Sequence, residues 1–415
     1  MPLTLDQLEF LRTPAAEELL AMELPGDPLR AVVALRKRCE PDQAAAVETL
    51  RGLRHRAHAS GRFPGELAAR LLATDALLQQ ASSFRLAVYK GGRLAELARQ
   101  VGCADGEILD LCCGLGADAV GMARAALRVR GVDVAPEAVV CARHNAAAAG
   151  VAERCRFDVA DAAAVELPAA GVVHVDPDRR AAGKRSVHLS DGSPGEAFLR
   201  ALPNRTRAGA MKLSPAIEWT ELTDLPVDEL EYVSERGVCK QLLAWWGTPG
   251  PVGSDRPRRR ATVVGGEIDR PRVASLAAGE APYADIAAPG EWLIEPDPAL
   301  IAAQAVDDLA AAEGLWRLAA GLVWLSGGAP VDTPLAHSFR VLADVPGRER
   351  EVARALRKLD AGRVEIKPRG VKLDTDALQR RLRGRGRRPV AVLWGRLGQK
   401  QRAFLCERAT SGKPA

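Results

Sequence analysis

From Glu107 onward the chain alternates short β-rich runs with alanine-rich stretches of helical character, and this alternation limits the fold more than any other feature. The runs EILDLCC, RVRGVDV, RCRFDVAD, GVVHVDPD and AGAMKLSP begin at residues 107, 128, 154, 171 and 208. Strands separated by helix-length segments specify a parallel, doubly wound sheet. Pro136 opens a helix that Gly150 closes, which places a crossover between the second and third strands. LEYVSERGVCKQLLAWWG, Leu230 to Gly247, reads as two strands around Glu235-Arg236-Gly237, and ATVVGG follows after a Pro, Gly and Arg-rich loop over Thr248 to Arg260. The parallel sheet is therefore expected to end in an antiparallel hairpin.

A length of 415 residues exceeds what one hydrophobic core usually organises, so at least two domains are expected. Residues 1–82 read as an N-terminal helical region: Thr4 and Gln7 fit a capping box, Thr13-Pro14 fits a cap and first turn, and PGDP (Pro25 to Pro28) and FPG (Phe63 to Gly65) punctuate further helices. The α/β domain is assigned to 83–268, a helical connector to 269–330 and a second domain to 331–410. In that last segment HSFRVLADV, a helix to Lys358, GRVEIKP, a helix over Thr375 to Arg385, PVAVLWGRL and RAFLCER form a βαβαββ pattern. The predicted fold class is α/β: a Rossmann-like sheet with an N-terminal helical region and a small C-terminal α+β domain.

Several classes are disfavoured. Hydrophobic residues make up 47% of the chain, yet apolar runs are short: Arg317 interrupts WRLAAGLVWL, Trp316 to Leu325, so no membrane helix is expected. MPLTLDQLEFLRT has no basic region followed by an apolar block, and a cytoplasmic location is expected. Eight cysteines without a CxxC pair and six histidines without a ligand-like cluster predict free thiols and no structural metal. The charge is uneven: residues 351–415 carry 18 Lys and Arg against 6 Asp and Glu, a net +12 inside a chain whose total is +5. A field of that sign favours encounter with phosphate backbones, while a solvated basic surface is the plain alternative.

LDLCCGLGADAV carries the cofactor signal. A strand ends on Asp110, and Gly114 and Gly116 then permit a tight turn and close backbone approach to a ligand before a helix. Gly114 to Ala119, with Asp118 inside it, also satisfies GxGxxG/A, and Asp133 lies 19 residues after Gly114, so a dinucleotide remains possible on these residues alone. Asp110 separates the two readings, because a carboxylate before the glycines suits the cationic amine of a methionine better than an anionic pyrophosphate. Asp161, at the end of the third strand, can accept from an adenine amine. Asp110, Gly114, Gly116, Asp118, Asp133 and Asp161 are thus the candidate cofactor residues, with S-adenosyl-L-methionine as the cofactor.

Motif I, DPDRR, KLSPAIEW, EYVSERGVCKQLLAWW, PGEWLIEPDPALI and RVEIKPRGVKLD together resemble the bacterial and archaeal class I S-adenosylmethionine-dependent methyltransferases that carry a C-terminal THUMP-like domain. The α/β part is also distantly similar to trimethylguanosine synthase, the RNA cap guanine-N2 methyltransferase. The resemblance implies an RNA substrate, tRNA-like, docked by the C-terminal domain. Two alternatives stand beside it: a non-catalytic RNA-binding module that retains the fold, and an NAD(P)-dependent oxidoreductase.

Amino-methyltransferases of this fold resemble one another in an (Asp/Asn/Ser)-Pro-Pro-aromatic loop after the fourth strand. Asp176 and Pro177 fit that pattern, whereas Asp178 and Arg179 depart from it; these four are the catalytic candidates. A guanidinium plane can stack on a base or grip a phosphate, so Arg179, Arg180, Lys184 and Arg185 can serve the substrate, or can pair with Asp176 and Asp178 to shape the loop. Lys212 meets a phosphate or pairs with one of those carboxylates, and Trp219 is placed to cover the substrate. Arg380, Arg381 and Arg383, followed by Arg385, Arg387 and Arg388, are expected to contact phosphates, with a solvated helix end as the alternative. Cys112 and Cys113 read as core rather than nucleophiles, Trp245 and Trp246 as packing, and Tyr89 as packing or a cover for the methionine end.

Overall fold

Side-chain caps start the first helices where the sequence places them. In the computed structural model, which describes residues 3–169, 171–178, 180–181, 184–248, 257–279 and 281–409, Thr4 and Gln7 form a reciprocal capping box before α1 (Leu5–Phe10). Thr13 accepts from the Ala16 amide at the start of α2 (Pro14–Ala21), and Asp27 caps α3 (Pro28–Leu35). α4 (Pro41–Ser60), α5 (Gly65–Arg70) and α6 (Asp75–Gln80) complete the N-terminal helices. The chain divides into two compact units, Met1–Leu230 with Gln241–Pro257 and Val264–Arg272, and Glu231–Lys240 with Arg258–Val263 and Val273–Ala415.

In the first unit α7 (Phe84–Gln100) leads into β1 (Glu107–Leu111), α8 (Ala117–Arg124), β2 (Arg128–Asp133), α9 (Pro136–Ala148), β3 (Cys155–Val159) and β4 (Val172–Val175). Two dipeptide strands, β5 (Arg180–Ala181) and β6 (Lys184–Arg185), pair antiparallel on their own. β7 (Ala208–Leu213) follows in this unit, and β8 (Glu229–Glu235), β9 (Val238–Trp246), β10 (Arg258–Gly266) and β11 (Pro271–Ala278) each have residues in both units. The sheet order is β11-β10-β8-β9-β7-β4-β1-β2-β3. β3, β2, β1, β4 and β7 are parallel, and β9 joins β7 antiparallel. The expected turn between β8 and β9 is made by Arg236 and Gly237, with φ of +53° and +70°, the left-handed pair that a two-residue hairpin requires.

The chain runs from β1 outward to β2 and β3, then returns to place β4 on the other side of β1. Strand order reverses there, and ligands of open α/β sheets bind in the crevice beyond the carboxyl ends of the strands at such a point. Asn145 of α9 braces the crevice by donating to the carbonyls of Leu72 and Leu115 and accepting from the Leu72 amide.

In the second unit β12 (Trp292–Pro296), β13 (Trp316–Arg317), β14 (Leu325–Gly327), β15 (Ala336–Pro346), β16 (Ala361–Arg369), β17 (Arg388–Leu397) and β18 (Lys400–Arg408) form a sheet of order β13-β14-β12-β15-β18-β17-β16. With α14 (Glu349–Lys358) and α15 (Thr375–Leu382), the order from β15 is βαβαββ, as expected. Alternate residues of β17 serve two cores: Val390, Val392 and Trp394 pack with α14 and α15, while Ala391 and Leu393 pack with Phe339, Phe404 and Trp324.

Two expectations differ from the structure. The stretch read as a helical connector, 269–330, contains α12 (Pro298–Ala303) and α13 (Val306–Glu313) but also β11 to β14. PRVASLAA at β11 is alanine-rich and weakly alternating, and sheet pairing overrides its local preference. The helix expected to reach Arg385 stops at Leu382: Arg383 turns extended, with φ −57° and ψ 121°, and the Gly384 and Gly386 amides donate instead to the carbonyls of Gly362 and Ala361 at 3.0 and 3.2 Å, an approach so close that a Cβ on either glycine would lie 2.0 Å from a carbonyl oxygen. The arginine-rich segment leaves the helix to press its glycines against β16.

Candidate active site

The turn after β1 is strained in the way a ligand cradle requires. Cys112, Gly114 and Gly116 have φ of +59°, +54° and +81°. A Cβ on Gly116 would stand 3.0 Å from both Cα and Cβ of Ala142, so only glycine lets α8 begin this close to α9. Gly116 caps α8 without a side-chain hydrogen bond. At the end of β2 the Asp133 carboxylate accepts from the amides of Gly114, at 2.9 Å, and Ala135, at 3.0 Å. Asp161 follows β3, exposed, accepting from the Ala163 amide at 2.9 Å. Val134 and Val159, 70% and 50% exposed, stand apolar at the mouths of β2 and β3; nothing in their local pattern singled them out.

Asp110 is fully buried and receives a 2.7 Å hydrogen bond on Oδ1 from Nδ1 of His174, its register partner on β4. Oδ2 has no partner among the described residues. Burial raises the pKa of Asp110, and the His174 bond offsets part of that rise. Asp118 is turned inward as well. Its Oδ2 accepts from Ser82 Oγ at 2.9 Å and forms a 2.6 Å ion pair with Lys90 of α7, while Oδ1 is buried without a partner. Burial would raise the Asp118 carboxyl, but the Lys90 charge, helped by His174 and Lys212, outweighs it and holds the group well below the usual carboxylate range. Lys90 and His174 were not singled out from the sequence. A lysine in an amphipathic helix and a histidine in a strand carry no local sign of being buried together.

The loop after β4 begins beside this cradle, since the Asp176 amide donates to the Leu111 carbonyl at 3.1 Å. The Asp176 carboxylate accepts from Nζ of Lys212, the penultimate residue of β7. Asp178 exchanges backbone hydrogen bonds with Ser193 at 2.9 and 2.8 Å and accepts from Gln80 at 3.1 Å. A small hollow adjoins the loop, lined mainly by Pro177, Leu189, Leu199, Leu213, Ser214 and Ile217. Trp219 opens the short α11 (Trp219–Leu222) and is half-buried. Arg179 lies outside the described residues; Arg180, Lys184 and Arg185 are placed only by the backbone of β5 and β6.

Cys112 and Cys113 are pushed up by burial first and by neighbouring carboxylates second, which disfavours the thiolate. Trp245 and Trp246 are buried; Arg93 covers the ring of the first at 4.3 Å, and the second donates to Thr206 at 3.1 Å. Tyr89 is buried in α7.

In the second unit Arg380 and Arg383 are exposed, as are Arg385, Arg387 and Arg388. Arg381 is held by Glu349 in a bidentate pair at 2.9 and 3.1 Å. Among the described residues no group of three or more His, Cys, Asp or Glu is arranged to hold a metal ion, and no helix is long and apolar enough to cross a membrane.

A glycine turn at a strand-order switch, an acidic end to β2, a buried carboxylate with a spare oxygen and an antiparallel β9 beside β7 together have the layout of the class I methyltransferase fold. Known proteins agree. The family model for a methyltransferase domain matches residues 108–176, and the one for a THUMP domain-like region matches 336–408. Two uncharacterized S-adenosylmethionine-dependent methyltransferases of Mycobacterium tuberculosis, from strains CDC 1551 and H37Rv, are each 34% identical over 332 residues, covering 79% of this chain and 85% of theirs. A crystal structure from Porphyromonas gingivalis W83, provisionally classed as a methyltransferase, superposes over 98% of both chains with a TM-score of 0.69 at 18% identity, a likeness of fold. The chain belongs to the S-adenosylmethionine-dependent methyltransferases and ends in a THUMP-like domain. Its cofactor is S-adenosylmethionine. The residues present fit that group: Gly114 and Gly116 turn the backbone through positive φ at the end of β1, and Asp110 keeps a buried acceptor with no protein donor among the described residues.

Proposed function

We propose that this methyltransferase modifies RNA, of tRNA-like kind and in the cytosol, with the basic C-terminal domain docking the substrate and the loop from Asp176 presenting the acceptor atom. The observation that carries the RNA reading is the net charge of +12 over residues 351–415, which overlap the THUMP-like match. Exposed Arg383, Arg385, Arg387 and Arg388 supply separate cations for backbone phosphates.

When bound, S-adenosylmethionine supplies an electrophilic methyl group whose transfer is an in-line displacement. Such a reaction asks the protein chiefly for proximity and alignment. Asp133 is assigned to the ribose hydroxyls, Asp161 to the adenine amine, and Val134 and Val159 to the faces of the adenine. Asp110 takes the α-ammonium. Lys212 holds the Asp176 carboxylate from one side, leaving its remaining lone pairs to orient an acceptor through a hydrogen bond. Arg179 takes the stacking role that an aromatic fills in related loops.

Incubation of the protein with methyl-labelled S-adenosylmethionine and total RNA from a strain lacking the gene tests this reading. Label that resists protease and is lost to ribonuclease is the expected result, and nucleoside digestion then names the atom. Label absent from RNA while cofactor binding is intact would overturn it.

A further inference from the structure

Lys90 lies in α7, a helix that precedes the cofactor turn and adds no residue to it. Only 1% of the residue is exposed. Its Nζ lies 2.6 Å from Asp118 Oδ2, 3.3 Å from Ser82 Oγ and 3.4 Å from His174 Nε2. An ammonium has protons to give and no lone pair, so both Ser82 Oγ and His174 Nε2 must accept from it. The single proton of a neutral His174 ring is then on Nδ1, 2.7 Å from Asp110 Oδ1. A lysine outside the cofactor turn thereby fixes a histidine tautomer, and that histidine aims a carboxylate of the turn.

Within the cluster Lys90 is ion-paired with Asp118 at 2.6 Å, and the only partner of the Asp110 carboxylate among the described residues is His174, on Oδ1. The charged groups that face the cluster from the loop after β4 and from β7 are Asp176 and Lys212, which form their own ion pair. Asp110 Oδ2 and Asp118 Oδ1 are buried with no partner among the described residues. A buried carboxylate oxygen without a donor is costly, so the arrangement fits a donor that arrives with the ligand.

We propose that Lys90 is a positioning residue of the cofactor site, holding Asp118 directly and Asp110 through His174 so that Asp110 Oδ2 is aimed to accept from the ligand's α-ammonium. The inference rests on the assignment of Asp110 to the α-ammonium proposed above and is independent of the RNA reading.

Calorimetric binding of two ligands to the full chain tests it: S-adenosylhomocysteine, which carries the α-ammonium, and 5′-methylthioadenosine, which keeps the nucleoside and thioether but has no amino acid. In Lys90→Met the first affinity is expected to fall by about tenfold or more, the worth of a charge-assisted bond, with the second within about twofold. If Lys90→Met does not fold, Lys90→Met/Asp118→Leu removes the ion pair as a unit and is expected to show the same selective loss. Nitrogen NMR of the ligand-free protein, with the signal assigned by its disappearance in His174→Gln, should find the His174 proton on Nδ1. Equal loss of both ligands, an unchanged S-adenosylhomocysteine affinity in a folded variant, or a wild-type proton on Nε2 would each overturn the proposal.

Discussion

Gly91 of α7 and Gly121 of α8 meet backbone to backbone: a Cβ on Gly91 would stand 2.3 Å from the Gly121 carbonyl oxygen, and one on Gly121 2.2 Å from that of Ala87. The neighbouring Gly92 faces solvent, where a Cβ would meet nothing within 4 Å. This crossing brings Lys90 within reach of Asp118. Gly91→Ala is therefore expected to destabilise the protein by about 1–3 kcal/mol or more, as overpacking does, and to weaken S-adenosylhomocysteine binding. Gly92→Ala is expected to stabilise by about 0.5–1 kcal/mol through helix propensity. Urea midpoints of the two variants decide the matter, and equal shifts would contradict the close crossing.

Gly116 faces both a backbone and a packing limit, with φ of +81° and Ala142 at 3.0 Å. Gly116→Ala should lower S-adenosylhomocysteine affinity about tenfold or more, since a misplaced turn no longer orients its ligand. Calorimetric titration beside a urea unfolding curve separates loss of the site from loss of the fold.

Asp176 and Lys212 are expected to split cofactor binding from chemistry. Asp176→Ala should lower single-turnover methyl transfer to RNA by about 100-fold or more while leaving S-adenosylhomocysteine affinity within about threefold. Full transfer activity in that variant would leave Asp176 with a shape-setting role alone, paired to Lys212.

Acid stability reports the buried pair. The folded-state pKa of Asp118 lies below its ordinary value of 3.8 because Lys90 outweighs the effect of burial. The unfolded chain therefore binds the proton more readily, so the contribution is present in full above pH 3.8 and is lost as pH falls toward the folded value. Asp118→Asn should flatten the acid limb of a stability-against-pH curve; an unchanged limb would mean that other carboxylates govern it.

Salt dependence checks the docking role of the C-terminal domain. Each of Arg383, Arg385, Arg387 and Arg388 replaced by Gln should lower the slope of log affinity against log salt by about 0.7 to 0.9 for every phosphate that the variant no longer neutralises. Arg381→Gln should change the slope less, because Glu349 already holds that guanidinium in two hydrogen bonds. Cofactor affinity should be unaffected in all five variants.

The parallel sheet, its antiparallel ending, the capped N-terminal helices and the C-terminal βαβαββ pattern were legible because each depends on local periodicity and on turn residues with fixed backbone demands. The placing of the glycine turn, Asp110, Asp133 and Asp176-Pro177 at or just after strand ends was legible for the same reason: turn residues mark where each strand stops. The strands of 271–327 were not, since strands of two and three residues and an alanine-rich edge have no periodicity of their own and exist by pairing. Lys90 and His174 lie 84 residues apart in the chain. Their meeting depends on two glycines letting α7 and α8 touch and on the β1 to β4 register, so tertiary packing alone decided which lysine became the buried cation beneath the site.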